Sequence, residues 1–281
     1  MPRRSEAKPR QTPAGTRRRG IALITDPSPG GAPDANVDEA EVARFSALAS
    51  RWWDPDGEFR PLHQLNPVRT GYVADRVRLA GAKVVDVGCG GGLLSESLAA
   101  RGANVLGIDA SEEALAAARA HLEASGLDVE YRATTAEALA EALPGRFDVV
   151  TCMELIEHVP DGAALVAACA RLARPGGTVV FSTISRTPKA YALAIVAAEY
   201  VLGMLPRGTH DYARFVRPSE LARWGRAAHL RLSDVTGVAW SAAAGGFRLR
   251  RDPSVNYLAT FEAPAFGQRG DAGVGGAATV P

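Results

Sequence analysis

The sequence predicts an α/β fold, a doubly wound and mostly parallel sheet of seven strands with an antiparallel edge. Three observations lead to this prediction. Short apolar runs alternate with helical patterns, a glycine-rich turn joins the first run to its helix, and the last two strand candidates have no clear helix between them. Strands that alternate with helices form parallel sheets covered on both faces, whereas strands joined directly pair antiparallel.

The predicted elements alternate along the chain. Five short runs have the composition of buried strands, at 84–87, 105–108, 129–131, 147–150 and 178–181. Ala, Leu, Glu and Arg at helical spacing predict helices at 93–100, 112–124 and 163–173, with another near 218–228. The candidates 230–238 and 255–261 complete the seven strands and should form the antiparallel edge.

These elements define one domain from 37 to 262, with a tail on either side. Residues 1–36 are rich in Pro, Gly, Ser and Arg and cannot bury enough apolar surface to offset chain ordering, so we expect a disordered basic tail. An arginine-rich arm that touches anionic lipid or RNA is the alternative. The Gly- and Ala-rich segment 263–281 is expected to be flexible in the same way.

Composition narrows the class of protein. The chain has 281 residues, of which 47% are hydrophobic and 22% charged, as in ordinary globular proteins. A net charge of +1 gives no global field to attract nucleic acid, so no nucleic-acid partner is expected. Three cysteines without a CxxC pair suggest reduced thiols and a cytoplasmic location. No apolar run is long enough to span a bilayer, and no secretory signal pattern comes after the basic start.

A glycine loop marks the first candidate site. Gly88, Gly90 and Gly92 stand between a buried strand and a helix, where glycine permits positive φ and close approach of a ligand to the backbone. Asp86 precedes the loop in a DxGxGxG pattern, and Asp109 ends the next strand, where its carboxylate can accept both hydroxyls of a ribose. Several nucleotide-binding folds use such turns, so an NAD site is the alternative at this point.

The loop and Asp109 resemble those of the Rossmann-like class I S-adenosylmethionine-dependent methyltransferases. The resemblance implies that the loop holds the methionine part of the cofactor and that Asp109 holds its ribose. Glu137 would then contact the adenine edge, unless it is an ordinary glutamate on a helix surface. Met153 would form a wall of the cofactor pocket, although most methionines are simply core residues.

Longer segments resemble the ubiquinone-biosynthesis O-methyltransferases over about 37–261. They read FSALASRWWD at 45–54, GEFRPLH at 57–63, LNPVR at 65–69, TCMELIEHVP at 151–160 and GTHD at 208–211. This resemblance implies methyl transfer from S-adenosylmethionine to phenolic or catechol hydroxyls of polyprenylated intermediates, in both O-methylation steps. Partners would be the polyprenyl phenol or quinol and other enzymes of the pathway. A quinone-pathway C-methyltransferase and a nucleotide-binding module without this activity are the alternatives.

Within these segments, Asn66 and Pro67 read as a capping residue followed by proline at the first helical position. Arg69 would then lie in the first helical turn, where a cation opposes the helix dipole. The resemblance implies that Arg69 binds the cofactor carboxylate, a task that suits a guanidinium; a surface salt bridge is the alternative. Trp52 and Trp53 are expected to be packing residues.

Glu154, Glu157 and His158 come after the fourth strand and are the candidate catalytic residues. If the chain turns helical there, their spacing places them on one face, where two carboxylates and an imidazole could hold a divalent metal. The resemblance associates a magnesium ion with these positions, and such a metal would lower the pKa of a bound phenol. The alternative is a solvated helix start in which His158 acts alone as general base.

The segment 189–206, within an insertion at 187–212, is strongly apolar but interrupted by Glu199 and Gly203. It is too short to span a membrane. A helix here could lie at the membrane interface, with Lys189 and Arg207 facing anionic head groups, or form a lid over the substrate pocket. We therefore expect a cytoplasmic protein with peripheral contact at the inner face of the membrane. His210 and Asp211 are candidate residues of the pocket mouth.

Overall fold

The computed structural model describes residues 36–193, 211–241, 243 and 245–265. The basic tail at 1–36 lies outside the described residues except for Asn36, and so does most of the tail at 263–281. Most of the apolar segment, 194–206, and the candidate mouth residue His210 also lie outside them.

Eight strands form one sheet within the described residues. They are β1 Lys83–Val87, β2 Asn104–Asp109, β3 Val129–Ala133, β4 Phe147–Met153, β5 Ala173–Ile184, β6 Arg231–Ser241, β7 Gly246–Arg250 and β8 Asn256–Glu262. Their order is β3-β2-β1-β4-β5-β8-β6-β7. The first five strands are parallel, whereas β8 runs antiparallel to β5 and β6, and β7 runs antiparallel to β6.

The predicted α/β sheet and its antiparallel edge are confirmed, but the predicted count of seven strands is wrong by one. The additional strand is β7, an edge strand that exposes most of its residues. Its sequence Gly-Phe-Arg-Leu-Arg has no buried apolar run, and it is the buried run that identifies a strand in sequence. The direct pairing of the two last predicted strands, now β6 and β8, is present as expected.

Eight helices accompany the sheet in the described residues. They are α1 Glu39–Ala47, α2 Arg60–Ala74, α3 Leu93–Ala99, α4 Glu112–Ser125, α5 Ala136–Ala142, α6 Gly162–Leu172, α7 Pro188–Ala190 and α8 Pro218–Ala227. The predicted helices at 93–100, 112–124, 163–173 and 218–228 are confirmed to within one residue at each end. Side chains cap several of them, as when the Ser111 hydroxyl accepts from the backbone N–H of Ala114 at the start of α4.

The predicted helix start at Asn66 and Pro67 is wrong. Helix α2 begins at Arg60, with Pro61 in its first turn, and continues through Pro67 to Ala74. The Asn66 amide does not cap this helix; it donates to the carbonyl of Leu93, at 2.9 Å, and so ties α2 to the start of α3. Burial of one side of α2 outweighs the local cost of an internal proline. Arg69 therefore lies in the second half of the helix, so the dipole argument for this residue does not hold.

No helix in the described ranges is both long enough and apolar enough to cross a bilayer.

A buried hydroxyl joins α2 to the antiparallel edge. Tyr72, fully buried on α2, donates to Oδ2 of Asp234 on β6 at 2.6 Å and accepts from Oγ1 of Thr260 on β8 at 2.9 Å. Because Thr260 is itself buried, loss of the phenol oxygen leaves its hydroxyl without this acceptor in the interior.

We therefore expect Tyr72→Phe to lower the free energy of unfolding by about 1–3 kcal/mol, measured by urea denaturation. The control is Tyr191→Phe, because Tyr191 is exposed and should tolerate the loss of its hydroxyl. Equal stabilities for the two variants would contradict the structural role of the Tyr72 hydroxyl.

Candidate active site

The glycine loop folds back onto the end of β2. Gly88, Gly90 and Gly92 have φ values of 69°, 52° and 86°, in the left-handed region that favours glycine. The backbone N–H of Gly88 donates to the Ile108 carbonyl at 2.8 Å, and that of Gly90 donates to Oδ2 of Asp109 at 2.8 Å. The first predicted site is therefore present as one unit, with the loop and Asp109 directly bonded.

The two aspartates of this site differ in their surroundings. Asp86 is buried on β1 and accepts hydrogen bonds from the hydroxyls of Ser95, at 2.7 Å, and Thr151, at 2.8 Å. Burial raises the pKa of Asp86 to about 6. Asp109 accepts backbone N–H bonds from Gly90 and Ser111, and burial raises its pKa as well. Since a carboxylate has about four acceptor positions, Asp109 keeps capacity for a ribose.

A large cavity opens at the carboxyl ends of β1, β2 and β4. Its volume is about 1350 Å³, above the range of about 300–1,000 Å³ that is usual for a single small ligand. Ligands of parallel α/β sheets bind at this end of the strands. Nine of the predicted site residues line the cavity, namely Arg69, Asp86, Gly88, Gly90, Asp109, Met153, Glu154, Glu157 and His158.

Arg69 is the most informative of these residues. Only 6% of it is exposed, and its Nη2 lies 3.1 Å from Oε1 of Glu154. Its Nε has no hydrogen-bond partner among the described residues, and its Nη2 has the ion-pair contact with Glu154 but no well-aligned hydrogen bond. Buried donors are almost always satisfied, so these point to a missing acceptor in the cavity, of the kind that a carboxylate supplies. The alternative of a surface salt bridge is wrong, because the guanidinium is buried.

The segment after β4 is a turn, so the condition that the chain turns helical there is not met. Glu154 has a φ of 52°, in the left-handed region, and the backbone N–H of His158 donates to the carbonyl of Leu155. The backbone N–H of Glu154 instead donates to the carbonyl of Ser182 on β5, which holds the chain to the sheet at this point. The spacing of Glu154, Glu157 and His158 therefore does not place them on one helical face.

The three side chains have different partners. Glu154 accepts from the Ser182 hydroxyl and contacts Arg69. Glu157 is buried and accepts from Oγ1 of Thr183 at 2.8 Å, and its burial together with the nearby charge of Glu154 raises its pKa to about 8. In the absence of a metal ion, this environment favours the protonated form of Glu157 near neutral pH.

The described geometry does not fit the predicted magnesium site. No group of three or more His, Cys, Asp or Glu side chains that could hold a metal occurs in the described ranges. Instead, Glu154 contacts Arg69, Glu157 accepts from Thr183 and His158 contacts Glu41, so the three side chains have separate protein partners.

His158 has a partner that sequence reasoning missed. Its Nδ1 lies 2.8 Å from Oε2 of Glu41 on α1, and both residues line the cavity. The two residues are 117 positions apart, and Glu41 precedes the segments that pointed to the family. No signal in a single sequence indicates such a pair.

Trp52, predicted to be a packing residue, packs on the glycine loop itself. A Cβ on Gly90 would lie 2.1 Å from the Trp52 ring, and one on Gly91 would lie 2.2 Å from it. The indole stacks on Phe59 with 4.1 Å between ring centroids, and its Nε1 has no hydrogen-bond partner in the described part of the chain. The neighbouring indole of Trp53 donates to the carbonyl of Gly91 at 2.9 Å.

Three candidates remain to be placed, namely Glu137, Met153 and Asp211. Glu137 and Met153 line the cavity, whereas Asp211 does not. Glu137 lines it and accepts from Nδ2 of Asn36 at 2.6 Å, so it is not a plain surface glutamate. Met153, at the end of β4, forms part of the cavity wall. Asp211 accepts from the backbone N–H of Ala213 and caps a short 3-10 helix, and it does not line the cavity.

Comparisons with known proteins identify the family of this chain. A family described as "Methyltransferase domain" matches residues 85–181. The ubiquinone biosynthesis O-methyltransferase of Pseudomonas entomophila strain L48 is 57% identical over 224 residues, covering 80% of this chain and 97% of that protein. The protein of the same name from Azotobacter vinelandii strain DJ is 56% identical over 224 residues, with the same coverage.

Solved structures agree on the fold. The magnesium protoporphyrin IX methyltransferase of Synechocystis PCC 6803, solved with bound SAH, has a TM-score of 0.59 to this chain. The two are 19% identical, and the match covers 80% of this chain and 99% of that one. From the identity and coverage of its relatives, together with the glycine loop, Asp109 and the buried Arg69, the chain belongs to the ubiquinone biosynthesis O-methyltransferases, a family of S-adenosylmethionine-dependent enzymes.

Proposed function

We propose that this enzyme methylates phenolic and catechol hydroxyls of polyprenylated intermediates of ubiquinone biosynthesis, in both O-methylation steps. One observation carries the proposal: a buried arginine with unpartnered donors shares a single cavity with the glycine loop and with His158. The names of the relatives favour oxygen over carbon as the methyl acceptor. Cooperation with other enzymes of the pathway stays a prediction.

The unsatisfied donors of Arg69 support the proposal that the cofactor binds at this end of the cavity. The Arg69 guanidinium would hold the carboxylate of S-adenosylmethionine, and Glu154 would keep that guanidinium in place. Asp109 would accept the ribose hydroxyls, and Met153 would border the adenosyl group. When bound, the cofactor supplies a methyl group already activated on a sulfonium.

His158 would act on the substrate side. As general base, it would remove the phenolic proton and so generate the nucleophilic oxygen. The protein must also align the nucleophilic oxygen with the methyl group of the cofactor. Binding of both reactants in one cavity would supply this alignment. Glu157, as a neutral buried carboxyl, is not the proton acceptor in this scheme near pH 7.

The cavity mouth suits a substrate that carries a lipid tail. Leu193 and Trp240 line the cavity and are exposed, and Arg250 and Arg251 line it beside them. Apolar side chains flanked by cations favour contact with anionic membrane surfaces. We extend the proposed peripheral contact of 189–206 to include this mouth, through which a polyprenyl chain would enter.

The cofactor assignment predicts a binding defect in Arg69→Lys. An ammonium cannot reproduce the two-donor fork, so we expect a loss of about 10- to 100-fold in affinity for S-adenosylhomocysteine, measured by calorimetric titration. Arg101→Lys is the matched control, because Arg101 is exposed and does not line the cavity. Unchanged affinity in Arg69→Lys would contradict the assignment.

The base assignment predicts a chemical defect in His158→Ala. We expect kcat for methylation of a demethylated quinol to fall by about 10²- to 10⁴-fold, with affinity for S-adenosylhomocysteine retained. Full turnover by this variant would rule out His158 as the base.

The same assay tests the predicted magnesium ion. Because Glu154, Glu157 and His158 each have a separate protein partner, we expect turnover to persist in the presence of EDTA. Loss of turnover that is restored by added Mg²⁺ would instead support a metal at Glu154, Glu157 and His158.

The membrane contact predicts charge-dependent binding to lipid vesicles. We expect Arg250→Glu combined with Arg251→Glu to reduce co-sedimentation with anionic vesicles at low salt, because each cation near such a surface contributes about 1 kcal/mol. Arg226→Glu is the control, since Arg226 is exposed on α8 and does not line the cavity. Co-sedimentation that is unchanged both in the double variant and on deletion of 189–206 would contradict the contact.

A further inference from the structure

The imidazole of His158 is held by two side chains of one helix. Glu41 contacts its Nδ1 at 2.8 Å, and Phe45 meets the ring edge-on, with 5.2 Å between centroids and 85° between the planes. Glu41 and Phe45 are four positions apart on α1 and therefore share a helical face. Both line the cavity beside His158.

Helix α1 is itself fixed at both ends by polar contacts to the rest of the domain. Near its start, Oδ2 of Asp38 lies 2.9 Å from Nη1 of Arg214. Near its end, the Ser46 hydroxyl lies 2.7 Å from the Ser111 hydroxyl. The helix has no fully buried residue. These contacts act together with the packing of partly buried Phe45 to set the position of Glu41, and Phe45 packs against the cluster of Trp52, Phe59, Leu93 and Ala114.

A carboxylate at Nδ1 has a defined effect on a histidine. In a neutral imidazole one ring nitrogen carries the proton and the other accepts. An acceptor oxygen beside Nδ1 favours the tautomer with the proton on Nδ1, so Nε2 becomes the nitrogen that takes a proton from a substrate. The edge contact with Phe45 opposes rotation of the ring away from this orientation.

We propose that Glu41 is a positioning residue, which fixes the ring orientation and tautomer of His158 for proton removal. The inference rests on the proposed function, in which His158 is the base. The competing interpretation is an ion pair that only attaches α1 to the domain, and Arg44, whose Nη2 lies 2.9 Å from the same Glu41 oxygen, makes that interpretation reasonable.

Three substitutions at Glu41 separate these roles. Glu41→Ala removes the acceptor, and we expect kcat for the demethylated quinol to fall by about 10- to 10⁴-fold, the upper limit being the loss caused by the wrong tautomer of a catalytic histidine. Glu41→Asp keeps a carboxylate acceptor and should recover part of this loss, whereas the amide of Glu41→Gln can donate to Nδ1, favour the other tautomer and leave kcat low. The KM for the quinol and the affinity for S-adenosylhomocysteine should stay within about twofold of wild type if only the base is misplaced.

Glu39→Ala is the matched control, because Glu39 is an exposed carboxylate in the same first turn of α1. It removes an equal charge from the helix terminus and should leave kcat unchanged. If Glu41→Ala fails to fold, as judged by circular dichroism, the comparison of Glu41→Gln with Glu39→Gln carries the test.

A double-mutant cycle gives the decisive readout. In a His158→Ala background, Glu41→Ala should cause no further loss of kcat, because its effect acts through the imidazole. Losses that multiply, or a normal kcat in Glu41→Ala, would overturn the proposal while leaving the base assignment intact. Full turnover in His158→Ala alone, or no turnover in wild type, would overturn the proposed function and this inference with it.

Discussion

The contact on which the site depends is the buried ion pair between Arg69 and Glu154. A guanidinium cannot be deprotonated in a protein, so its burial on α2 requires compensating charge and acceptors. Glu154 supplies one carboxylate, and it reaches Arg69 from a left-handed backbone position at the end of β4. The pair leaves donors of Arg69 unsatisfied, and this deficit makes the cavity a site for an anionic group.

The N-terminal part of the described chain supplies residues that the sheet alone could not. Trp52 lies on the glycine loop, Glu41 meets His158, and Asn36 meets Glu137. These contacts cover the ends of the parallel strands with side chains from one continuous segment. The segment around Trp52 that pointed to the family therefore also forms part of the cavity wall.

Local patterns predicted most of the fold, and long-range contacts account for the rest. Strands and helices of the parallel half have buried apolar faces, which are visible in sequence, whereas β7 exposes most of its residues. The helix start predicted at Asn66 and Pro67 is wrong because packing of α2 overrides a local preference. The chain does not turn helical after Met153, because Glu154 bonds to the neighbouring strand β5.

The site residues were predictable to different degrees for the same reason. The glycine loop and Asp109 belong to a short motif, and resemblance identified Arg69 although the helix argument for it was wrong. Glu41 and the packing of Trp52 on the loop depend on contacts between distant parts of the chain. Membership of the methyltransferase family decides between S-adenosylmethionine and NAD, which the loop alone left open.

The position of β8 has a consequence for how the enzyme is assembled. This strand comes last in sequence among those described, yet it lies between β5 and β6 and brings Nδ2 of Asn256 to 3.2 Å from Glu154. The carboxylate that holds Arg69 thus receives one of its donors only when residues near position 256 have joined the sheet. Contacts of such long sequence separation form late and slow the search for the native state. In a nascent chain that lacks this strand, the glycine loop could form. Glu154 would then lack the contact with Asn256 that helps to hold its carboxylate beside Arg69.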